Sequence, residues 1–294
     1  MGVVAGVGED VEDFIEGDRV AALVRQGGNA RYVEVPASSL VRVPKIVESG
    51  EAVCMLSIYS TAYQSLRMIR KEDEAFSLQG KKVLVIGGMD AVGHALIQMC
   101  RKAKGEVYAT APKKRHGYIK NVLRARPVVE NAKEWIDVVD GQMDFVFDGS
   151  GDNLSTAHAA LKPEGKLVCF GDSSLLKQEM GLFGAPFSAR FKKLRDHMRA
   201  RTYHVDVWGM FQADREGYKK TVESLLELLK NQKVKPHIAQ RVSLSEVAAA
   251  QMGLEVGELF GSVVCIPWRN ADKKAVVPVQ ADDDDDHNCM TCSA

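Results

Sequence analysis

No stretch of this sequence approaches the roughly 18 consecutive apolar residues that a membrane-spanning helix needs. The opening residues, MGVVAGVGED, have neither the basic flank nor the apolar centre of a secretion signal. A charge excess is also missing, since Lys plus Arg and Asp plus Glu number 39 each. With no net field, nucleic acid is not an expected partner, and any basic site has to be local. The six cysteines (Cys54, Cys100, Cys169, Cys265, Cys289 and Cys292) are scattered, and four stand inside apolar runs. That pattern excludes a disulfide framework and fits reduced thiols packed as small hydrophobes in a cytoplasmic protein. The seven histidines (His94, His116, His158, His197, His204, His237 and His287) show no metal-ligand spacing. Cys289 and Cys292 form one CxxC without the second pair a zinc site requires, so no metal is expected. What remains is a soluble chain of 294 residues, long enough for a large core and two domains.

The most informative stretch is Lys81 to Arg115, KKVLVIGGMDAVGHALIQMCRKAKGEVYATAPKKR. Val83 to Ile86 form an unbroken apolar run, as in a strand buried on both faces of a parallel sheet. Gly87 and Gly88 end it. Val92, Ala95, Leu96, Met99, Cys100 and Ala103 then recur at the spacing of one apolar helix face, and Val107 to Ala109 begin a second strand. This is a dinucleotide-binding βαβ unit, with a helix N-terminus placed to receive a pyrophosphate. Gly87, Gly88 and Gly93 supply the glycines of such a turn, and Gly88, Met89, Ala91, Val92 and Gly93 are expected to line the diphosphate. Asp90 stands where the phosphate comes closest and opposes its charge. The second strand ends at Thr110 without an acidic residue to hold a ribose 2′-hydroxyl, and Lys113, Lys114 and Arg115 follow. Three cations there suit a 2′-phosphate and favour NADP(H) over NAD(H). The alternative is that they are solvated loop charges.

Several further blocks stand in a recognisable order. They are VVAGVGEDVEDFIEGDRVAAL, GGNARYVEVPASSLVRVP, MLSIYSTAYQSL, DFVFDGSGDNLSTAHAALKPEGKLVCFG and VSLSEVAAAQMGLEVGELFGSVVCIP. Together these resemble the medium-chain dehydrogenases/reductases from Val3 to Pro267. The closest resemblance is to the zinc-free quinone oxidoreductase, or zeta-crystallin-like, group. The zinc alcohol dehydrogenases of this superfamily carry a four-cysteine lobe after the GDRV turn. Here no cysteine lies between Asp18 and Tyr32, and Ser57 stands at a zinc-ligand position of the linker. A weaker resemblance links the chain to the vesicle amine transport protein branch.

The resemblance implies an α/β fold: a Rossmann-type doubly wound parallel sheet plus a partial GroES-like β-barrel that appears truncated at its N-terminus. The implied organisation is a partial GroES-like domain over 1–54, an NADP-binding domain over 55–209, a segment over 210–269 completing the first domain, and a disordered acidic tail over 270–294. By the same resemblance Thr61 touches the nicotinamide amide, and Gly151 and Gly171 open the sheet edge beside the ring. The family's frequent dimerisation through the cofactor-domain sheet makes a homodimer the expectation. The implied activity is NADPH-dependent, zinc-independent hydride transfer to a small electrophile of the quinone or enone type. No proton donor is identified: Tyr59 and Tyr63 are hydroxylic and near, but also suit helix packing. The basic stretch SARFKKLRDHMRAR reads as an amphipathic helix for a membrane surface or partner, or as an insertion packed on the domain. A second function class, a non-catalytic interaction module, fits Asp90 and the incomplete barrel.

Overall fold

The computed structural model describes residues 1–70, 76–151, 154–171, 201–269 and 289–293. By packing, the chain separates into two units, residues 1–57 with 210–294 and residues 58–209. The first unit opens with strands β1 (Gly2–Val7), β2 (Arg19–Ala22), β3 (Tyr32–Pro36) and β4 (Leu40–Arg42), then helix α1 (Ser49–Cys54). Val4, Val20, Val35 and Leu40 turn inward with Phe14 and make a small core. The Arg19 guanidinium donates to the Pro44 and Val47 carbonyls at 2.8 and 2.9 Å. Glu48 caps α1 by accepting from the Gly50 and Glu51 amides at 2.9 and 2.8 Å.

A π-helical stretch, Met55–Tyr59, leads into α2 (Ser60–Ile69). The second unit continues with β5 (Lys82–Ile86), α3 (Ala91–Lys102), β6 (Glu106–Thr110), α4 (His116–Asn121), β7 (Arg126–Val128) and α5 (Ala132–Val139). It closes with β8 (Met143–Asp148), α6 (Leu154–Ala159), β9 (Leu161–Phe170) and β10 (Thr202–Val205). The strands form one sheet in the order β10-β9-β8-β5-β6-β7, with every neighbouring pair parallel. The chain runs outward from β5 through β6 to β7, then returns to the other side of β5 with β8. The expected doubly wound α/β sheet is therefore present, and its switch point lies beside β5. Leu84, Trp135, Met143, Val146 and Leu167 are among the residues of its core.

Two strand boundaries are set by tertiary contacts. β9 begins at Leu161, because the Lys162–Gly165 turn is absorbed as an irregularity against β8, between the pairs Met143↔Leu161 and Phe145↔Lys166. β10 stops at Val205. There the Asp206 carboxylate accepts from the Gly209 amide at 3.0 Å and starts α7 (Val207–Ala213). The basic stretch expected as an amphipathic helix falls almost wholly within 172–200, outside the described residues.

The chain then returns to the first unit with α8 (Arg215–Lys230), β11 (Ile238–Val242), α9 (Val247–Glu255), β12 (Ser262–Cys265) and β13 (Cys289–Ser293). Asp214 caps α8 through the Gly217 amide at 2.8 Å. Tyr218, Val222, Leu225, Leu226 and Leu229 form its apolar stripe and are all buried. Ser243 and Glu246 form a capping box, with the Ser243 amide donating to Glu246 at 2.8 Å. β13 sits between β1 and β3 in a five-stranded sheet, β3-β13-β1-β2-β4, antiparallel to both neighbours. This strand lies within 270–294, the stretch expected to be an acidic tail. The unpaired backbones of β1 and β3 offer that strand a complete ladder, which composition cannot reveal.

Candidate functional site

β5 delivers the chain to Gly87, whose φ of 76° is a left-handed value that favours glycine. Two bonds to β6 fasten the turn. The Gly87 amide donates to Thr110 Oγ1 at 2.9 Å, and the Gly88 amide donates to the Thr110 carbonyl at 2.9 Å. A Cβ on Gly93 would stand 2.0 Å from the Gly87 carbonyl oxygen, and one on Gly88 would stand 2.8 Å from the Ala109 Cβ. Strand, turn and helix thus meet at distances only glycine permits. Asp90 occupies the N-cap position of α3, but its side chain makes no capping bond. The first bond of the helix runs from the His94 amide to the Asp90 carbonyl at 2.8 Å. The amides of Ala91, Val92 and Gly93 precede that bond and sit at the positive end of the helix dipole. Met89 is buried, and Ala91 and Val92 are half-buried.

The Asp90 carboxylate folds back over the turn, so that a Cβ on Gly87 would lie 2.5 Å from its Oδ2. Asp90 is an exposed residue, although its carboxyl group lies partly among protein atoms. That burial raises its pKa, and the Glu130 carboxylate adds to the rise. Directly after β6, Lys113, Lys114 and Arg115 form a short 3-10 helix, with both lysines exposed and the arginine half-buried. Beneath it His94 Nε2 meets the Tyr118 hydroxyl at 3.1 Å, and His94 Nδ1 meets Gln98 at 2.9 Å.

The remaining expected positions lie elsewhere in this unit. β5, β8 and β9 end in register, with Ile86 opposite Asp148 and Asp148 opposite Cys169. Gly151 (φ 65°) and Gly171 (φ 84°) therefore follow at the same sheet edge as the Gly87 turn. Asp148 is 1% exposed, and its Oδ1 accepts from the Ser150 amide and hydroxyl, both at 2.8 Å, and from the Gly151 amide at 3.2 Å. Its Oδ2 has no partner among the described residues. Sequence reasoning passed over Asp148 and Glu130, although DGSG carries the mark of an Asp-led turn. Burial, aided by the Asp148 charge, pushes the Cys169 thiol up to about 12, so it is no nucleophile. Thr61 lies on α2, its carbonyl accepting from the Ser65 hydroxyl at 2.8 Å. Tyr59 is 1% exposed, and Tyr63 is half-buried. Thr110, expected among the cofactor contacts, is buried and fastens the turn from within.

Residues 123–265 match the family model described as "Zinc-binding dehydrogenase". The synaptic vesicle membrane protein VAT-1 homolog of Homo sapiens is 29% identical over 280 residues, which is 90% of this chain and 69% of that protein. A probable quinone oxidoreductase of Schizosaccharomyces pombe is 34% identical over 180 residues, 59% of this chain and 53% of that protein. Over these residues the chain is similar to the medium-chain dehydrogenases/reductases. Both branches that the sequence resembles are thus found among its relatives. A mycobacterial protein solved with NADPH shares the fold, with a TM-score of 0.71 and 22% identity over 90% of this chain and 80% of that one. Zinc, which the family model's description names, finds no cluster of three potential ligands among the described residues of this chain. None of their helices is long and apolar enough to cross a membrane.

Proposed function

We propose that this chain is an NADPH-dependent, zinc-independent oxidoreductase that delivers hydride to an electron-poor carbon of a quinone or enone. The observation that carries the reading is the turn of residues 87–93, where the clearance around Gly88 and Gly93 admits no side chain and three helix amides are left uncapped. A diphosphate matches that place in charge and size. Gly88, Met89, Ala91, Val92 and Gly93 would line it, while Thr110 holds the turn in position. Lys113, Lys114 and Arg115 would receive the 2′-phosphate, because β6 ends without a carboxylate to hold the free hydroxyl. Thr61 would contact the nicotinamide amide, and Gly151 and Gly171 would leave room beside the ring. Bound there, NADPH supplies the hydride, and the chain's own part is to hold and orient it against the substrate. The quinone oxidoreductase relative and the NADPH complex of the mycobacterial neighbour support the choice of substrate class and cofactor. A cytoplasmic homodimer completes the proposal.

Fluorescence titration tests it. NADPH should bind at least about tenfold more tightly than NADH, and Lys113→Gln with Lys114→Gln and Arg115→Gln should erase that preference. A small quinone should then consume NADPH. One observation favours a second reading, a non-catalytic interaction module: the Asp90 carboxylate over Gly87. Absence of binding by the wild type at every pH, with binding restored by Asp90→Gly, would establish that reading instead.

A further inference from the structure

The Asp90 main chain is pinned at both ends. Its amide donates to the Gly87 carbonyl at 3.0 Å, and its carbonyl accepts from the His94 amide at 2.8 Å. Its carboxylate lies against Gly87, on the turn proposed above to carry the diphosphate, and no described residue donates a hydrogen bond to it. The charged groups near the turn have definite places. Glu130, in the segment after β7, has the same sign as Asp90 and among the described residues is the charge that acts on its carboxyl. On α3 itself His94 is engaged with Tyr118 and Gln98. From β6 the turn meets Thr110, which is neutral. Lys113, Lys114 and Arg115 follow β6 and do not neutralise Asp90. A carboxylate so placed has no cation or hydrogen-bond donor among the described residues to favour its charge, and it would repel a phosphate directly.

Resting on the nucleotide-binding reading above, we propose that Asp90 takes up one proton from solvent when a dinucleotide binds, making the 87–93 turn a proton-linked nucleotide site. In its neutral form the carboxyl group removes the like charge and turns an O–H donor toward the phosphates. Bringing a diphosphate beside Asp90 favours the protonated form further, so the bound state holds a proton that the free state lacks. Affinity then falls as pH rises between the free and bound pKa values of Asp90, at a rate approaching tenfold per pH unit. Glu130 is a positioning charge that keeps the free carboxyl ready for protonation.

Calorimetric titration of the full chain with NADP+ between about pH 5.5 and 8, in buffers of different ionisation enthalpy, reads this directly. The wild type should take up as much as one proton more than Asp90→Asn, a comparison that cancels titration of the nucleotide's own 2′-phosphate. At the alkaline end Asp90→Asn should bind at least about tenfold more tightly than wild type. Glu130→Gln should keep the proton uptake but move it to lower pH. Equal proton uptake and parallel pH profiles for wild type and Asp90→Asn would overturn the proposal while leaving nucleotide binding intact. No binding by wild type, Asp90→Asn or Asp90→Gly at any pH would remove the nucleotide-binding reading itself.

Discussion

Thr110 shows how one buried hydroxyl can organise a binding turn. It is 2% exposed, and its Oγ1 receives the Gly87 amide while its carbonyl receives that of Gly88. Valine has the same shape without the acceptor, so Thr110→Val leaves the Gly87 N–H without its partner. That change should destabilise the protein by about 1–3 kcal/mol in chemical denaturation and weaken nucleotide binding, and Thr110→Ser should restore most of both. At this scale the sequence was informative where chemistry depends on the residue type alone. Gly87, Gly88 and Gly93 announce close approach, and Lys113 to Arg115 announce positive charge. Thr110 as a fastener and Glu130 beside Asp90 were not legible in the same way. Each depends on which strand lies next to which.

Asp144, at the start of β8, ties three elements together. Its carboxylate accepts from the Lys82 amide of β5 at 2.9 Å and from Lys162 Nζ of β9 at 2.8 Å, with Lys81 Nζ at 3.5 Å. Burial acts to raise its pKa, but the Lys162 bond, the Lys82 amide and the two lysine charges outweigh it and hold the carboxyl below its ordinary 3.8. A carboxyl depressed on folding stabilises above its unfolded pKa, and that contribution disappears as pH falls through the folded value. Asp144→Asn should therefore cost about 1 kcal/mol near neutral pH, a modest figure because the two lysines are about half exposed. The gap between variant and wild type in urea melts should narrow as pH falls below 3.8 and through the lowered pKa of the folded carboxyl. Element type was readable wherever periodicity was strong, as along α3 and α8. The start of β9 and the end of β10 were not, because a bulge against β8 and the Asp206 cap set them.

In the whole molecule the first unit takes segments from both ends of the chain, residues 1–57 and 210–294. β3 joins its sheet only through β13, with Val33 opposite Cys292 and Val35 opposite Met290, while Val4 of β1 also faces Cys292. Truncation after Arg269 should leave β1 and β3 with open edges. Hydrogen exchange of their amides should accelerate by roughly tenfold or more, and self-association should rise with concentration, while exchange in β5 and β8 stays unchanged. By itself the sequence determined the βαβ unit, the parallel sheet and the family, because apolar period, glycine placement and strand-end charge are local properties that side-chain chemistry imposes. Only the tertiary structure decided where the Asp90 carboxylate rests, which hydroxyl fastens Gly87 and which strand fills the gap between β1 and β3. Those outcomes depend on contacts between residues far apart in the chain, whose partners are chosen when the sheets assemble.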